Sequence, residues 1–151
     1  VLGKGDSRYE DFFRGKAWQY GGRLSAQITY AEDLARRVYA GCDLFLMPSR
    51  SEPCGLSQMI AMRYGAVPIV RRTGGLADTV KSCQVGQEDG TGYLFESYDA
   101  GAMLDVIGQA TGLYHGDRKG FDTVRHRGMT ADFSWARSAG DYRRIYENLL
   151  G

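Results

Sequence analysis

Between Met47 and Ser57 the chain reads Met-Pro-Ser-Arg-Ser-Glu-Pro-Cys-Gly-Leu-Ser, which gathers a carboxylate, a thiol, a glycine and a hydroxyl into a few residues. The chemistry this suggests is recognition of an anion joined to a neutral polyhydroxyl group. Gly55 lets a ligand approach the main chain closely. The amides of Leu56 and Ser57, at the expected start of a helix, are unpaired donors aided by the helix dipole, and the Ser57 hydroxyl adds another. Together they form a cradle suited to phosphate. Glu52 is badly placed if phosphate is the whole ligand, because like charges repel. It makes sense if the ligand also carries a sugar, since one carboxylate accepts hydrogen bonds from two neighbouring hydroxyls. The competing reading is an acid favoured near a helix N-terminus, and the residue types leave both open. Cys54 is either a thiol whose pKa falls at the helix start or a small side chain chosen for fit. Thr73-Gly74-Gly75 is either a second tight turn facing the same cleft or a plain strand-to-helix connection.

These residues need elements to position them, and apolar periodicity supplies candidates. Tyr9, Phe12, Phe13, Ala17 and Tyr20 follow helical spacing, closed by Gly21-Gly22; Ala31 to Val38 form a second helical stripe ended by Gly41. Leu24 to Ile28 reads as a short strand. Leu44 to Met47 is a continuous apolar run, expected to be a strand buried on both faces. Leu56 to Tyr64 is apolar nearly all round and is expected to be a deep helix with Gly65 as its stop. Ala66 to Val70 reads as the next buried strand, Gly75 to Val80 as a short helix, and Tyr93 to Phe95 as a last weak strand. Residues 99–115, 118–130 and 134–150 read as helices without strands between them.

Strands recurring with a helix between them predict an α/β fold: a Rossmann-like parallel sheet with helices on both faces and a helical carboxyl-terminal tail. Ligands of such sheets bind at the carboxyl ends of the strands. That is where the Met47–Ser57 run falls. Pro48 and Pro53 stiffen it by fixing φ.

Composition narrows the classes. The chain has 151 residues with a formal net charge of +1, which argues against a nucleic-acid partner. The charge is uneven: residues 1–75 carry 11 basic and 7 acidic side chains, with Arg50, Arg63, Arg71 and Arg72 in one short stretch. That cluster is compatible with a small anionic ligand and equally with solvated arginines. Three cysteines, Cys42, Cys54 and Cys83, without C-x-x-C spacing predict neither a disulfide framework nor a zinc site, and fit a reducing cytosol. No apolar run approaches the roughly 18 residues of a membrane helix. No Asp-x-Asp and no Gly-x-x-x-x-Gly-Lys-Ser/Thr occurs, so neither a metal nor a cofactor is expected. Glycine is abundant, at 21 residues, roughly twice the average usage.

The run from Pro48 to Met59, continued through Tyr64-Gly65, Pro68-Ile69-Val70-Arg71 and Thr73-Gly74-Gly75-Leu76-Ala77-Asp78-Thr79-Val80, closely resembles bacterial glycogen synthases and plant starch synthases. Tyr39-Ala40-Gly41-Cys42-Asp43, Gly90-Thr91-Gly92-Tyr93 and Asp132-Phe133-Ser134-Trp135 extend the likeness over essentially the whole chain. Related glycosyltransferases outside this family carry a second glutamate eight positions after the first; Ile60 stands there, which fits the synthases.

The resemblance implies one half of a two-domain GT-B fold. Residues 1–151 would be the carboxyl-terminal, nucleotide-sugar-binding domain, truncated at its amino-terminal end and lacking the amino-terminal domain as a partner. It implies a retaining transfer of glucose from ADP-glucose, the donor, to the 4-OH at the non-reducing end of an α-1,4-glucan, the acceptor. Such a piece alone is expected to be inactive. By motif position, Glu52 matches the glutamate that binds the glucose hydroxyls. Gly55, Leu56 and Ser57 match the phosphate- and sugar-contacting helix start, and Tyr30 matches the aromatic that stacks on adenine; Cys54, Thr73, Gly74 and Gly75, beside them, are expected to complete the donor site. The compartment implied is a bacterial cytoplasm, or a plastid for a plant or algal protein. Two other readings remain at this stage: a non-catalytic nucleotide-binding module, and a UDP-glucose-dependent relative.

Overall fold

The computed structural model describes residues 1–83 and 89–150. The chain divides into two compact units, Val1–Val38 and Tyr39–Gly151.

In the first unit, helix α1 spans Ser7–Gln19, started by Asp6, whose side chain accepts the Arg8 amide. The strand expected over Leu24–Ile28 reduces to a single parallel bridge, Leu2 with Gln27. The pairing runs from the Gly3 amide to the Gln27 carbonyl and from the Gln27 amide to the Val1 carbonyl, at 3.1 and 2.9 Å, with the Val1 ammonium donating to the Ser25 carbonyl at 2.7 Å. Apolar alternation alone does not make a strand; a partner of matching length is needed, and Val1–Gly3 offers a short one. Helix α2, Glu32–Gly41, begins in this unit.

The second unit carries a parallel three-stranded sheet in the order β1-β2-β3, with β1 at Leu44–Met47, β2 at Val67–Arg71 and β3 at Tyr93–Phe95. Leu44 pairs with Val67 and Met47 with Val70, while Ile69 pairs with Tyr93 and Arg71 with Phe95. Helix α3 is Ser57–Arg63, α4 Gly74–Thr79, α5 Ala100–Gly116, α6 Arg118–Thr130 and α7 Trp135–Leu150. Every one of these elements begins and ends within a few residues of the span expected from periodicity.

The two faces of β2 explain the helices on both sides. Val67 and Ile69 pack with Tyr93, Ala110, Phe121 and Val124, joining the sheet to α5 and α6. Val70 turns the other way, to Met62 of α3, Leu76 of α4 and Val80 just after α4. This is the period-2 alternation of a strand covered on each face. Each fully buried side chain of this kind contributes about 1.5–3 kcal/mol.

Two expectations about burial need correcting. β1 is not buried on both faces: its neighbour among the described strands is β2 alone, and Leu46 is 44% exposed. Helix α3 is deep on one side only. Gln58, Ala61 and Met62 are buried, whereas Ile60 and the flanking Leu56 and Tyr64 are exposed. An apolar composition all round reports that a helix is covered only when neighbours exist on every side.

At the amino end of β1, Asp43 stitches α5 and α6 to the sheet. Its carboxylate accepts Arg125 at 2.6 Å and the Tyr114 hydroxyl at 3.2 Å. The Arg118 and Arg125 guanidinium groups both stand over the Phe121 ring.

Candidate functional site

At the opposite, carboxyl ends of the strands, the segment from Pro48 to Leu56 has no helix or strand of its own. Its carbonyls are held from outside. Arg71, the last residue of the central strand, donates from Nε to the Ser49 carbonyl at 2.9 Å and through a second guanidinium nitrogen to the Arg50 carbonyl. The Gly75 amide is shared between the Glu52 and Pro53 carbonyls, each at 3.3 Å. The buried Gln58 side chain donates from Nε2 to the Gly55 carbonyl at 2.6 Å and to Thr79 Oγ1 at 2.9 Å, with the Cys54 carbonyl at 3.4 Å. Thr79 in turn donates to the Gly75 carbonyl at 2.6 Å. Every carbonyl from Ser49 to Gly55 except that of Ser51 is therefore engaged.

The amides of the same segment are not. Among the described residues no acceptor meets the amides of Cys54, Gly55, Leu56 or Ser57. Leu56 is the N-cap of α3 and provides no side-chain cap. The carboxylate of Glu52 takes part in none of the hydrogen bonds or salt bridges among the described residues, so it is not spent on capping α3. An unpaired carboxylate beside a row of unpaired donors can serve both halves of a ligand with hydroxyls and an anionic group.

Thr73-Gly74-Gly75 lies directly against this segment. A Cβ built on Gly74 would overlap the Glu52 carbonyl, and one on Gly75 the Cys54 carbonyl. Only glycine permits that approach, and Gly74 also has φ +45. The structure thus brings together Glu52, Cys54, Gly55, Leu56, Ser57, Thr73, Gly74 and Gly75. Cys54 is exposed and its thiol is free. Tyr30 belongs to the first unit, two residues before the start of α2, where it is 88% exposed.

The arginine cluster resolves into separate tasks. Arg71 serves the carbonyls, Arg72 pairs with Glu96 at 2.6 Å, and Arg63 donates to the Met129 carbonyl at 2.9 Å. Arg63 and Arg71 thus have backbone partners and Arg72 a carboxylate, while the Arg50 guanidinium takes part in none of the hydrogen bonds or salt bridges among the described residues. Two residues that shape the site, Arg71 and Gln58, were not singled out for that task by their sequence. Gln58 left one signal: a polar side chain on the buried side of an apolar helix requires a hydrogen-bond partner.

Two cavities lie near the segment. One of about 590 Å³ borders the exposed side of α3, between Leu56, Ile60 and Phe133. Another of about 260 Å³ lies between Pro48, Phe95 and Tyr98. Glu52, Gly55 and Ser57 line neither. Among the described residues no three His, Cys, Asp or Glu side chains gather at metal-ligating spacing. No described helix is long and apolar enough to cross a membrane.

A parallel α/β sheet with helices on both faces and a carbonyl-pinned turn at the carboxyl ends of its strands defines a domain of the Rossmann-like class, whose ligands bind at those ends. Residues 2–111 match the family model "Glycosyl transferases group 1". The chain belongs to that family. It is 50% identical over 150 residues to a glycogen synthase of Clostridium novyi and 48% identical over 149 residues to one of Lachnospira eligens. Each alignment takes in 99% of this chain, which spans only 31% of either relative. Among solved structures, the catalytic domain of starch synthase IV from Arabidopsis thaliana, bound to ADP and acarbose, superposes with a TM-score of 0.85 at 33% identity. It covers 97% of this chain and 31% of that one. A sucrose-phosphate synthase of Thermosynechococcus elongatus shares the fold, with a TM-score of 0.64 at 24% identity over 98% of this chain and 37% of that one.

Proposed function

We propose that this chain is the donor-binding domain of a retaining glucosyltransferase that moves glucose from ADP-glucose to the 4-OH at the non-reducing end of an α-1,4-glucan. One observation carries the reading: the unpaired carboxylate of Glu52 stands in a segment whose carbonyls are engaged and whose amides from Cys54 to Ser57 are unpaired. The similarity to glycogen synthases, and to a starch synthase bound to ADP and acarbose, supports the choice of donor and acceptor. The rest of the catalytic machinery, including an amino-terminal domain, belongs to the two thirds of the relatives' length that lie outside this match. The 151 residues alone are inactive on this reading. Three free thiols fit a reducing compartment, a bacterial cytoplasm or a plastid.

The roles follow from chemistry. Glu52 accepts hydrogen bonds from two glucose hydroxyls and orients the ring. The amides of Gly55, Leu56 and Ser57, with the Ser57 hydroxyl, receive the diphosphate, and Thr73-Gly74-Gly75 closes the turn beside it. The exposed ring of Tyr30 stacks on adenine, and Cys54 fills the space beside the turn. In the transfer, the bond from C1 to the β-phosphate oxygen breaks as the acceptor O4 bonds to C1 on the same face. The acceptor proton passes to the departing phosphate oxygen, and ADP leaves. The turn contributes by stabilising charge as it builds on that oxygen.

The test is Glu52→Ala in the full-length enzyme, assayed with ADP-glucose and a glucan primer. Loss of two charge-assisted hydrogen bonds should lower kcat/KM on the order of 100-fold or more. Turnover equal to the parent enzyme would remove Glu52 from the mechanism.

A further inference from the structure

The geometry points to Arg71 as a positioning residue that gives the Glu52 segment its working shape, an inference that rests on the donor-binding reading of Glu52. Arg71 closes the central strand β2, and from there its guanidinium reaches the segments that leave both flanking strands. After β1 it meets the Ser49 and Arg50 carbonyls, and after β3 the Glu96 carbonyl at 3.4 Å. The group also stands over the Tyr98 ring, 5.8 Å from its centre. No described backbone amide outside the helices and strands donates to Ser49 or Arg50, so Arg71 supplies what a longer ladder would have supplied.

The task requires an arginine. Three carbonyls on two segments are met by three nitrogens of one planar fork; a lysine ammonium reaches a single position and cannot span them. Glu52 follows Arg50 by two residues and its own carbonyl is held only by the shared Gly75 amide, at 3.3 Å, so release of the Arg50 carbonyl loosens the stretch that carries the carboxylate. Positioning errors of about 1 Å in such groups cost large factors in rate. Arg72, the next residue, provides the contrast: its guanidinium pairs with the exposed Glu96 side chain and touches no carbonyl of the segment.

The experiment is a double-mutant cycle in the full-length enzyme with ADP-glucose and glucan. Arg71→Gln and Arg71→Lys should each lower kcat/KM by about 10-fold or more, while Arg72→Gln stays within about twofold of the parent. In a Glu52→Gln background, adding Arg71→Gln should cost less than about threefold, because the group it positions is already impaired. The proposal is overturned if Arg71→Lys keeps parental activity, if Arg72→Gln is equally damaging, or if the Arg71 and Glu52 effects multiply. A parental rate for Glu52→Gln would instead remove the donor-binding reading itself. If Arg71→Gln does not fold, Arg71→Lys, which keeps the stem and the charge, carries the same comparison.

Discussion

Gln58 and Gly55 occupy adjoining space: the Gln58 amide nitrogen donates to the Gly55 carbonyl at 2.6 Å, and a Cβ built on Gly55 would lie 2.6 Å from Gln58 Oε1. The turn and the side chain beneath it are therefore a matched pair. Gly55 also has φ +72, a conformation that costs other residues about 1–2 kcal/mol. Gly55→Ala should lower the melting temperature and weaken ADP-glucose binding together. Calorimetry and titration on the full-length enzyme check this; a stable Gly55→Ala variant with parental affinity would show that the pairing is dispensable.

Gln58 itself is buried, and its Oε1 meets no donor among the described residues. Gln58→Leu removes that unpaired acceptor but also releases the Gly55 and Thr79 bonds. Stability should change little, by about 1 kcal/mol in either direction, whereas donor affinity should fall. The split between the two measurements distinguishes a site residue from a core residue.

At the far end of the sheet the reverse split is expected. Asp43→Ala breaks the contacts to Arg125 and Tyr114, which lie at the amino ends of the strands, away from the turn. These groups are partly exposed, so the loss should be modest, about 1 kcal/mol. A lower denaturation midpoint with unchanged KM for ADP-glucose is the expected result; a raised KM would tie this end of the sheet to the site.

Alkaline pH should destabilise the fold. Burial pushes the Cys83 thiol up from 9.0 to about 11, and burial together with Cys83 pushes the Tyr93 hydroxyl up from 10.0 to about 12. Both groups hold their protons more tightly in the folded chain than in the unfolded one. Their contribution is complete below about pH 9 and is lost as pH rises through about 11 and 12. Melting temperatures measured across this range should fall, and fall less in Cys83→Ala. A flat profile contradicts the assignment.

The same burial orders the thiols. Cys54 is exposed, while burial raises the pKa of both Cys42 and Cys83. With a neutral alkylating reagent near pH 8, Cys54 should react first and Cys83 last, as mass spectrometry of the peptides would show. Protection of Cys54 by bound ADP-glucose is expected from its place beside the turn.

Most of the architecture was legible in the sequence because it depends on local periodicity. The Leu44–Met47 and Tyr93–Phe95 strands fall where their apolar runs lie, and the tail helices start at Asp99 and Asp117, each of which caps with its side chain. What escaped was whatever depends on neighbours. Leu24–Ile28 has the residues of a strand but a short partner, and Leu46 has the residues of a buried strand but is exposed. The candidate site follows the same division. Glu52, Gly55 and Thr73-Gly74-Gly75 announce themselves by type and spacing. Arg71 looked like one of four surface charges, since nothing in a sequence shows that a side chain will reach three carbonyls on two other segments.

The pinned carbonyls have an electrical consequence. In a trans peptide the N–H points opposite to the preceding C=O, and no cis bond occurs in the described chain. Drawing the carbonyls of Ser49, Arg50, Pro53, Cys54 and Gly55 toward Arg71, Gly75 and Gln58 therefore turns the amides of Arg50, Ser51, Cys54, Gly55 and Leu56 the other way. These partial positive charges belong to the main chain, although an ionisable side chain, Arg71, holds two of the carbonyls. These main-chain dipoles carry no ionisable proton, so their own share of the field at the turn is the same in acid and in alkali wherever the fold survives.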